Sequence, residues 1–254
     1  MQTDRIVMRP RANAEAMDLG FQLTRANWSS LTALTVVGLI PILALAGLAL
    51  IITPWLALLV LWWFKPSINR GLLDILARDL TNRPANLGAV LRDYRHWWRG
   101  GHLASLTWYR FHPSRSMVLP IWQLERLDGG ERAQRTHALM YGNNGSALGL
   151  TFIAGLFELC LVLGLMMLFA WLAPEQIWSE LNLWDAGLIH IPAWVYAVVV
   201  GCYAITIVLV EPFYVGAGFG LYLNQRCRLE CWDLEPVFRR ISERHDPVGQ
   251  HAPS

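Results

Sequence analysis

The fold is decided by residues 194–240, which read WVYAVVVGCYAITIVLVEPFYVGAGFGLYLNQRCRLECWDLEPVFRR. Up to Leu223 this stretch carries one charged residue, Glu211, and proline follows it directly. A run of about 20 apolar residues is long enough to cross a bilayer as a helix. After Leu223, charged residues are interspersed with apolar ones, which is typical of an amphipathic segment. The stretch therefore predicts a membrane helix that contains one polar site and continues into a charged extension.

The whole chain has the composition of a membrane protein. Its 254 residues are 54% hydrophobic and 16% charged, whereas about 25% of the residues in a typical soluble domain are charged. None of its 21 Lys and Arg residues lies between Ser146 and Gln225. Its 13 tryptophans suit the interface between lipid and water. We therefore expect an all-α integral membrane protein.

Long apolar runs predict four transmembrane helices. Residues 31–64 form an uncharged run of 34 residues, which is too long for one span of about 20 residues. Proline disfavours helix in the residue before it, so we expect a break at Thr53 and a tight hairpin. Pro41 and Pro66 are expected to kink the two helices of this hairpin. The predicted spans are about 31–52, 54–76, 146–172 and 194–223.

The polar segments predict cytoplasmic interfacial amphipathic helices. Residues 15–31 have one apolar face and lead into the first span. Residues 87–98 have apolar residues at helical spacing with charged residues opposite, so this helix could lie on an anionic leaflet or pack on the protein's own helices. Turns are expected at His112-Pro113, at Leu119-Pro120 and at Gly129-Gly130, and a loop is expected at residues 143–145. The predicted segments are 1–30, a cytoplasmic N-terminal segment; 31–76, a transmembrane hairpin; 77–145, a cytoplasmic amphipathic region; 146–223, two spans joined by a periplasmic loop at 174–192; and 224–254, a cytoplasmic C-terminal tail.

The distribution of charge predicts the topology, because segments rich in Lys and Arg stay in the cytoplasm. Basic residues precede the first span, are concentrated between Lys65 and Arg135, and recur after Leu223, whereas the loop at 174–192 is acidic and aromatic. Four helices with both termini in the cytoplasm satisfy this pattern. No signal peptide is expected, because residues 1–30 lack an apolar core followed by a small-residue cleavage site. The predicted location is the bacterial inner membrane, as a multi-pass protein.

Three charged residues lie inside the predicted spans: Lys65, Glu158 and Glu211. At about 1.5 Å per residue, each lies roughly 16–18 Å from one end of its span, near the middle of a hydrocarbon core about 30 Å thick. A charge at this depth is costly and requires a reason. Lys65 could neutralise one or both glutamates as a structural ion pair. Alternatively, a glutamate could bind a transported proton or cation, be protonated and hydrogen-bonded, or take part in catalysis.

Other candidate residues are predicted to make packing and head-group contacts. Gly216 and Gly220 form a small-residue face that permits close helix contact, on this chain or on another subunit; no strand precedes them, as a nucleotide loop would require. The arginines predicted to contact lipid head groups or a partner are Arg92, Arg95, Arg99, Arg226 and Arg228. Arg110 and Arg115 could also bind lipid phosphates, and a role in setting topology is the alternative.

No catalytic residue, cofactor, metal site or nucleic-acid site is predicted. The chain contains no GxSxG, HExxH or Walker sequence, and its seven histidines lack the spacing of a metal site. Cys227 and Cys231 are weak evidence for zinc, because no second ligand pair accompanies them.

Several blocks together resemble an uncharacterised group of proteobacterial inner-membrane proteins. The blocks are Trp62-Trp63-Phe64-Lys65-Pro66; residues 103–108; Arg115-Ser116 with Leu119-Pro120 and Leu124-Glu125; Glu211-Pro212-Phe213-Tyr214-Val215; Leu221-Tyr222-Leu223-Asn224; and residues 229–235. The resemblance covers residues 10–243. Members resemble the membrane half of proteins that carry a further C-terminal domain of unknown function, and they tend to be encoded near MoxR-type AAA ATPases and von Willebrand A-domain proteins.

This resemblance implies an accessory membrane component of an assembly or chaperone-like system. The present sequence departs from the group in two ways. It ends at Ser254 without the further domain, so that domain's activity is not carried over. Gln225 also stands where a second basic residue is usual before Arg226.

The sequence therefore leads to two alternative hypotheses for the function. The first is a non-enzymatic inner-membrane scaffold or accessory subunit of an envelope-associated assembly, which binds membrane lipids and a cytoplasmic AAA ATPase or other membrane proteins. The alternative is a small transporter or channel subunit that uses Glu158 or Glu211 and forms a homo-oligomer. A lipid-modifying enzyme is disfavoured, because the sequence offers no nucleophile–base pair.

Overall fold

The computed structural model describes residues 10–81, 83, 85, 87–93, 102–112, 114–125, 127, 129–174 and 192–230. Throughout these residues, every regular element is helical, as the composition and apolar runs predict. The helices are α1 (Asn13–Ala26), α2 (Trp28–Ile52), α3 (Pro54–Leu80), α4 (Leu87–Arg92), α5 (His102–Leu106), a 3-10 turn (Trp108–Phe111), α6 (Arg115–Leu124), α7 (Gly129–Met140), α8 (Asn144–Leu172) and α9 (Ala193–Glu230).

Three of the described helices are long and apolar enough to cross a membrane: α2, α8 and the Trp194–Glu230 part of α9. The predicted second span corresponds to α3, which is long enough at 27 residues. Its second half carries several charged residues, including Lys65, Arg70 and Asp74. These lower its hydropathy, so α3 does not meet the same criterion.

The break between α2 and α3 lies at Thr53, as the proline after it predicts. Thr53 has an extended backbone (φ −157°, ψ 136°), and Pro54 is the first residue of α3, where its missing N–H would be unpaired in any case. The two helices then run antiparallel, since Asn27 Nδ2 before α2 donates to Asp79 Oδ2 near the end of α3 at 2.8 Å.

The bundle has two distinct ends. At the turn end, the ring of Trp55 packs on Tyr196 near the start of α9, with centroids 6.0 Å apart. At the opposite end, Asn143 Nδ2 before α8 donates to Gln225 Oε1 of α9 at 2.8 Å, and Asn13 of α1 donates to Ser146 Oγ at 2.7 Å. We call this the basic end, because α1, the C-terminal part of α9 and most described arginines lie there.

The C-terminal third of α9 is enclosed by protein. The rings of Trp28 and Phe213 lie 5.3 Å apart, so the start of α2 is level with Phe213. Beyond that level, α9 is buried continuously from Tyr214 to Gln225, between α1 and α6. The fourth span was predicted to reach Leu223, but its last part is covered by other helices of this chain.

One predicted interruption is wrong. The predicted turn at Pro120 lies inside α6. Proline lacks the N–H that would bond to the carbonyl four residues earlier, and that carbonyl, on Ser116, instead lies against the backbone of Gly218. The predicted loop at 143–145 is present but lies two residues earlier, as a turn at 141–143 between α7 and α8. The helix α8 begins at Asn144.

The predicted amphipathic helix at 87–98 is described only as far as α4, which ends at Arg92. Residues 94–98 lie outside the described part of the chain. In α4, Val90 is fully buried whereas Leu91 and Arg92 are exposed.

Candidate functional site

The structure brings together the three charged residues that the sequence places within the spans. Lys65 Nζ lies 2.7 Å from both carboxylate oxygens of Glu158 and 2.5 Å from Oε1 of Glu211. These side chains belong to α3, α8 and α9, so one ammonium group joins three helices. The side chains of Lys65 and Glu211 are 3% and 2% exposed, and that of Glu158 is 16% exposed.

The two carboxylates are not equivalent. Both oxygens of Glu158 accept hydrogen bonds from Lys65. By contrast, Glu211 Oε2 is buried and has no hydrogen-bond partner among the described residues. A buried acceptor without a donor is costly, so Glu211 is the less satisfied member of the cluster.

Pro66 leaves one backbone carbonyl of α3 without its usual helical donor, and Arg110 binds it. Pro66 lacks an N–H, so it cannot donate to the carbonyl of Trp62 four residues earlier. Arg110 replaces that donor: its Nη2 donates to the carbonyl of Trp62, and its Nη1 donates to the carbonyl of Trp63 at 3.0 Å. The guanidinium also lies over the Trp62 ring, 3.4 Å from its centroid, in a favourable cation–π arrangement.

Arg110 is 4% exposed, and this role was not predicted from the sequence. The signal that could have indicated it is Pro66, because a mid-helix proline always frees one carbonyl. The donor comes from 44 residues further along the chain, so the pattern within α3 cannot identify it.

A series of hydrogen bonds lies one helical turn from the ion cluster, on the side of the basic end. Arg115 Nε donates to the hydroxyl of Tyr214 at 3.1 Å, and that hydroxyl lies 3.1 Å from Thr151 Oγ1. Thr151 in turn donates to the carbonyl of Ala147 at 3.1 Å. Thr151 uses its one hydroxyl hydrogen on Ala147, so the Tyr214 hydroxyl donates to Thr151 while it accepts from Arg115. This series thus ties α6, α9 and α8 together.

Several of these residues, but not Tyr214 or Glu211, line a groove of about 600 Å³ between α3 and α8. Towards the basic end, its wall carries Arg110, Arg115, Thr151 and the Lys65–Glu158 pair. Towards the turn end, the wall is apolar and consists of Leu58, Leu159, Val162 and Val199. The groove therefore has one cationic half and one apolar half.

The predicted packing glycines meet an internal helix. A Cβ atom added at Gly216 would collide with Thr24 Oγ1, and one at Gly220 would collide with the backbone of Ala16. At Gly20 it would collide with the backbone of Gly216. The partner of this small-residue face is therefore α1 of the same chain.

The predicted contact arginines differ in their surroundings. Arg92 and Arg228 are exposed, and Arg228 donates to the carbonyl of Arg11 at 2.5 Å. Arg226 forms an ion pair with Glu230 at 2.8 Å and donates to the Tyr222 hydroxyl. Arg95 and Arg99 lie outside the described residues.

An ion cluster at the basic end joins α6, α7 and α9. Arg135 Nε donates to Glu125 Oε2 at 2.7 Å, and Arg135 also pairs with Glu230. The Tyr222 hydroxyl donates to Glu125 at 2.9 Å. Hydrogen bonds to Glu125 raise the pKa of Arg135, so this arginine stays charged and keeps the three helices joined throughout the physiological pH range.

Comparison of the chain with protein-family models, with curated proteins and with solved structures finds no match. Within the described residues, no group of three or more His, Cys, Asp or Glu side chains is arranged to hold a metal ion. The assignment of function therefore depends on the geometry of the site.

Proposed function

We propose that this protein is an integral protein of the bacterial inner membrane with four spans and both termini in the cytoplasm, and that α3 is the second span, in addition to α2, α8 and α9. Two features support this role for α3. It pairs antiparallel with α2 and has a similar length, 27 residues against 25. Several of its polar side chains are also buried inside the protein: Lys65, Asn69 and Arg70 are 3%, 5% and 0% exposed.

We further propose that the protein is a non-enzymatic scaffold or accessory subunit of an envelope-associated assembly. The observation that carries this proposal is the sharing of one Lys65 ammonium between Glu158 and Glu211. Glu158 and Glu211, the two carboxylates that could act on a substrate, both form ion pairs with Lys65 of a third helix. Such a pair fixes the relative positions of helices, and breaking it would leave a charge buried.

The basic end is the proposed platform for cytoplasmic partners. The ion cluster of Glu125, Arg135 and Glu230 fixes α6 and α7 against α9, which favours a preformed docking surface. The resemblance of the sequence implies a MoxR-type AAA ATPase as one partner. Other membrane proteins, membrane lipids and a second copy of the chain are the remaining proposed partners.

A crosslinking pull-down from cells that express the full chain tests the scaffold role. We expect a cytoplasmic ATPase to be recovered by the parent and to be lost in Arg135→Glu, which places a negative charge beside Glu125 and Glu230. Arg83→Glu is the control, because Arg83 is exposed, lies outside this cluster and is not among the arginines predicted to contact a partner. A monodisperse protein that recovers no partner under mild detergent would count against the scaffold.

A second candidate function is proton or cation coupling at Glu211. The observation that favours it is the buried, unpartnered Oε2 of this residue, because an acidic group with a spare acceptor inside a membrane can take up a proton. Transport would require the cluster to open, since Oε1 of the same carboxylate is bound to Lys65.

A further inference from the structure

We propose that the groove between α3 and α8 binds one anionic phospholipid of the cytoplasmic leaflet. Its phosphate would lie on Arg115, with Arg110 deeper in the groove, and one acyl chain would lie along Leu58, Leu159 and Val162. This inference goes beyond the scaffold role and does not depend on it. It rests only on the proposed membrane topology, which places the basic end in the cytoplasm.

The first argument is charge. The groove and the adjoining ion cluster hold more positive than negative side chains. The cations are Lys65, Arg110 and Arg115, and the carboxylates are Glu158 and Glu211. Within the described part of the chain, neither Arg110 nor Arg115 is within ion-pair distance of a carboxylate. Arg110 Nε is buried and has no hydrogen-bond partner there. An unpaired cation in a low-dielectric site is unfavourable, and a phosphate, to which arginine binds through two parallel hydrogen bonds, would neutralise it.

The second argument is depth in the bilayer. Tyr214 follows Tyr196 by 18 residues, about 27 Å along α9, and Tyr196 packs on Trp55 at the turn end. The hydrocarbon layer is about 30 Å thick. Arg115, bound to Tyr214, therefore lies at the edge of this layer on the basic side, where the phosphates of the cytoplasmic leaflet lie. Arg110 lies deeper, because it donates to the carbonyls of Trp62 and Trp63, about 12–14 Å along α3 from the turn end.

The third argument is the shape of the groove. Its volume of about 600 Å³ is within the range of sites that hold a ligand of a few hundred daltons. The apolar half continues from the cationic half along the direction of an acyl chain. Gly155 lines the groove, and an added Cβ atom there meets nothing within 4 Å. A free phosphate would satisfy the arginines but would leave the apolar half unused.

Native mass spectrometry of the full chain in detergent tests this proposal. The probes are phosphatidylglycerol, phosphatidylcholine with the same acyl chains, and glycerol 3-phosphate, which has no chain. We expect one bound phosphatidylglycerol, with about tenfold weaker binding of phosphatidylcholine, because the choline ammonium of phosphatidylcholine offsets its phosphate charge and would lie near the cationic arginines. Glycerol 3-phosphate should not bind measurably. Equal binding of the two lipids would overturn the proposal, as would binding of glycerol 3-phosphate as strong as that of phosphatidylglycerol.

Two variants locate the site. Gly155→Leu fills the groove, so it should abolish most phosphatidylglycerol binding. Gly164→Leu is the matched control: it lies on the same helix in open space and should bind like the parent. Arg115→Gln should reduce the preference for phosphatidylglycerol. If Arg115→Gln does not fold, the location of the site is tested by Gly155→Leu alone. If Gly155→Leu binds phosphatidylglycerol like the parent, the lipid does not bind in this groove.

Discussion

Lys65 holds one ammonium group between carboxylates from two other helices, so its removal leaves two negative charges buried side by side. Losing one partner of a buried ion pair costs about 3–5 kcal/mol. We therefore expect Lys65→Met to lower the apparent Tm strongly. The measurement is the temperature at which half of the protein leaves the monodisperse peak in size-exclusion chromatography after heating in detergent.

A neutral version of the cluster serves as the control for this prediction. Lys65→Met combined with Glu158→Gln and Glu211→Gln removes all three charges, so most of the lost stability should return. If Lys65→Met alone folds and assembles like the parent, the cluster does not hold the helices together.

Arg110 and Pro66 should be energetically coupled. Arg110→Gln removes charged hydrogen bonds to the Trp62 and Trp63 carbonyls, so we expect a loss of about 1.5–3 kcal/mol. In a Pro66→Ala background, the restored N–H can bond to the Trp62 carbonyl, and the same change should cost about 1 kcal/mol less. Denaturation of the four proteins of this cycle measures the coupling, and additive effects would exclude it.

The sequence predicts the charged residues of the site but not their surroundings. Lys65, Glu158 and Glu211 are identifiable because a charge in an apolar run is rare. The midplane depth predicted for Glu211 differs from the proposed placement of Tyr214 at the edge of the layer, which puts Glu211, three residues earlier, about 5 Å inside that edge. Whether Lys65 pairs with one glutamate or with both depends on three-helix packing, which spacing does not determine. Arg110 was missed as a structural residue for the same reason, since its contacts lie on another helix.

At the level of the helices, α1 and α9 approach so closely that backbone meets backbone. Gly220→Ala and Gly20→Ala would push a Cβ atom into the backbone of the facing helix. We expect each to lower stability by about 1–3 kcal/mol, the usual cost of overpacking. The measurement is the same apparent Tm in detergent.

Gly201→Ala is the matched control for these glycine variants. It lies on α9, and an added Cβ atom meets nothing within 4 Å. Alanine favours helix over glycine by about 1 kcal/mol, so this variant should be as stable as the parent or more stable. If Gly220→Ala behaves like Gly201→Ala, close packing of α1 on α9 is not needed for stability.

Local signals determine some boundaries of the helices and not others. The break at Thr53 was predictable for two reasons. Proline disfavours helical backbone in the residue before it, and it is favoured as the first residue of the helix that follows. Pro120 has the same local signal but lies within α6. The carbonyl that it frees, on Ser116, lies against Gly218 of α9, and this tertiary contact is not evident from the sequence of α6 alone.

For the whole molecule, the topology predicts different exposure of the two ends. In spheroplasts, and in a background without the native cysteines, Thr53→Cys should react with a membrane-impermeant maleimide. Gly145→Cys is exposed at the basic end and should react only after the membrane is permeabilised. The reverse pattern would place the basic end outside the cytoplasm.

Proton flux into liposomes tests most directly whether the buried charges fasten the bundle or carry an ion. The purified full chain is reconstituted at a defined orientation, a pH gradient is imposed, and uptake is followed with an internal pH dye. We expect the parent and Glu211→Gln to give the same slow leak as protein-free liposomes, because Lys65 neutralises the carboxylates in place. A flux above that leak that disappears in Glu211→Gln would contradict the structural role and establish coupling at Glu211.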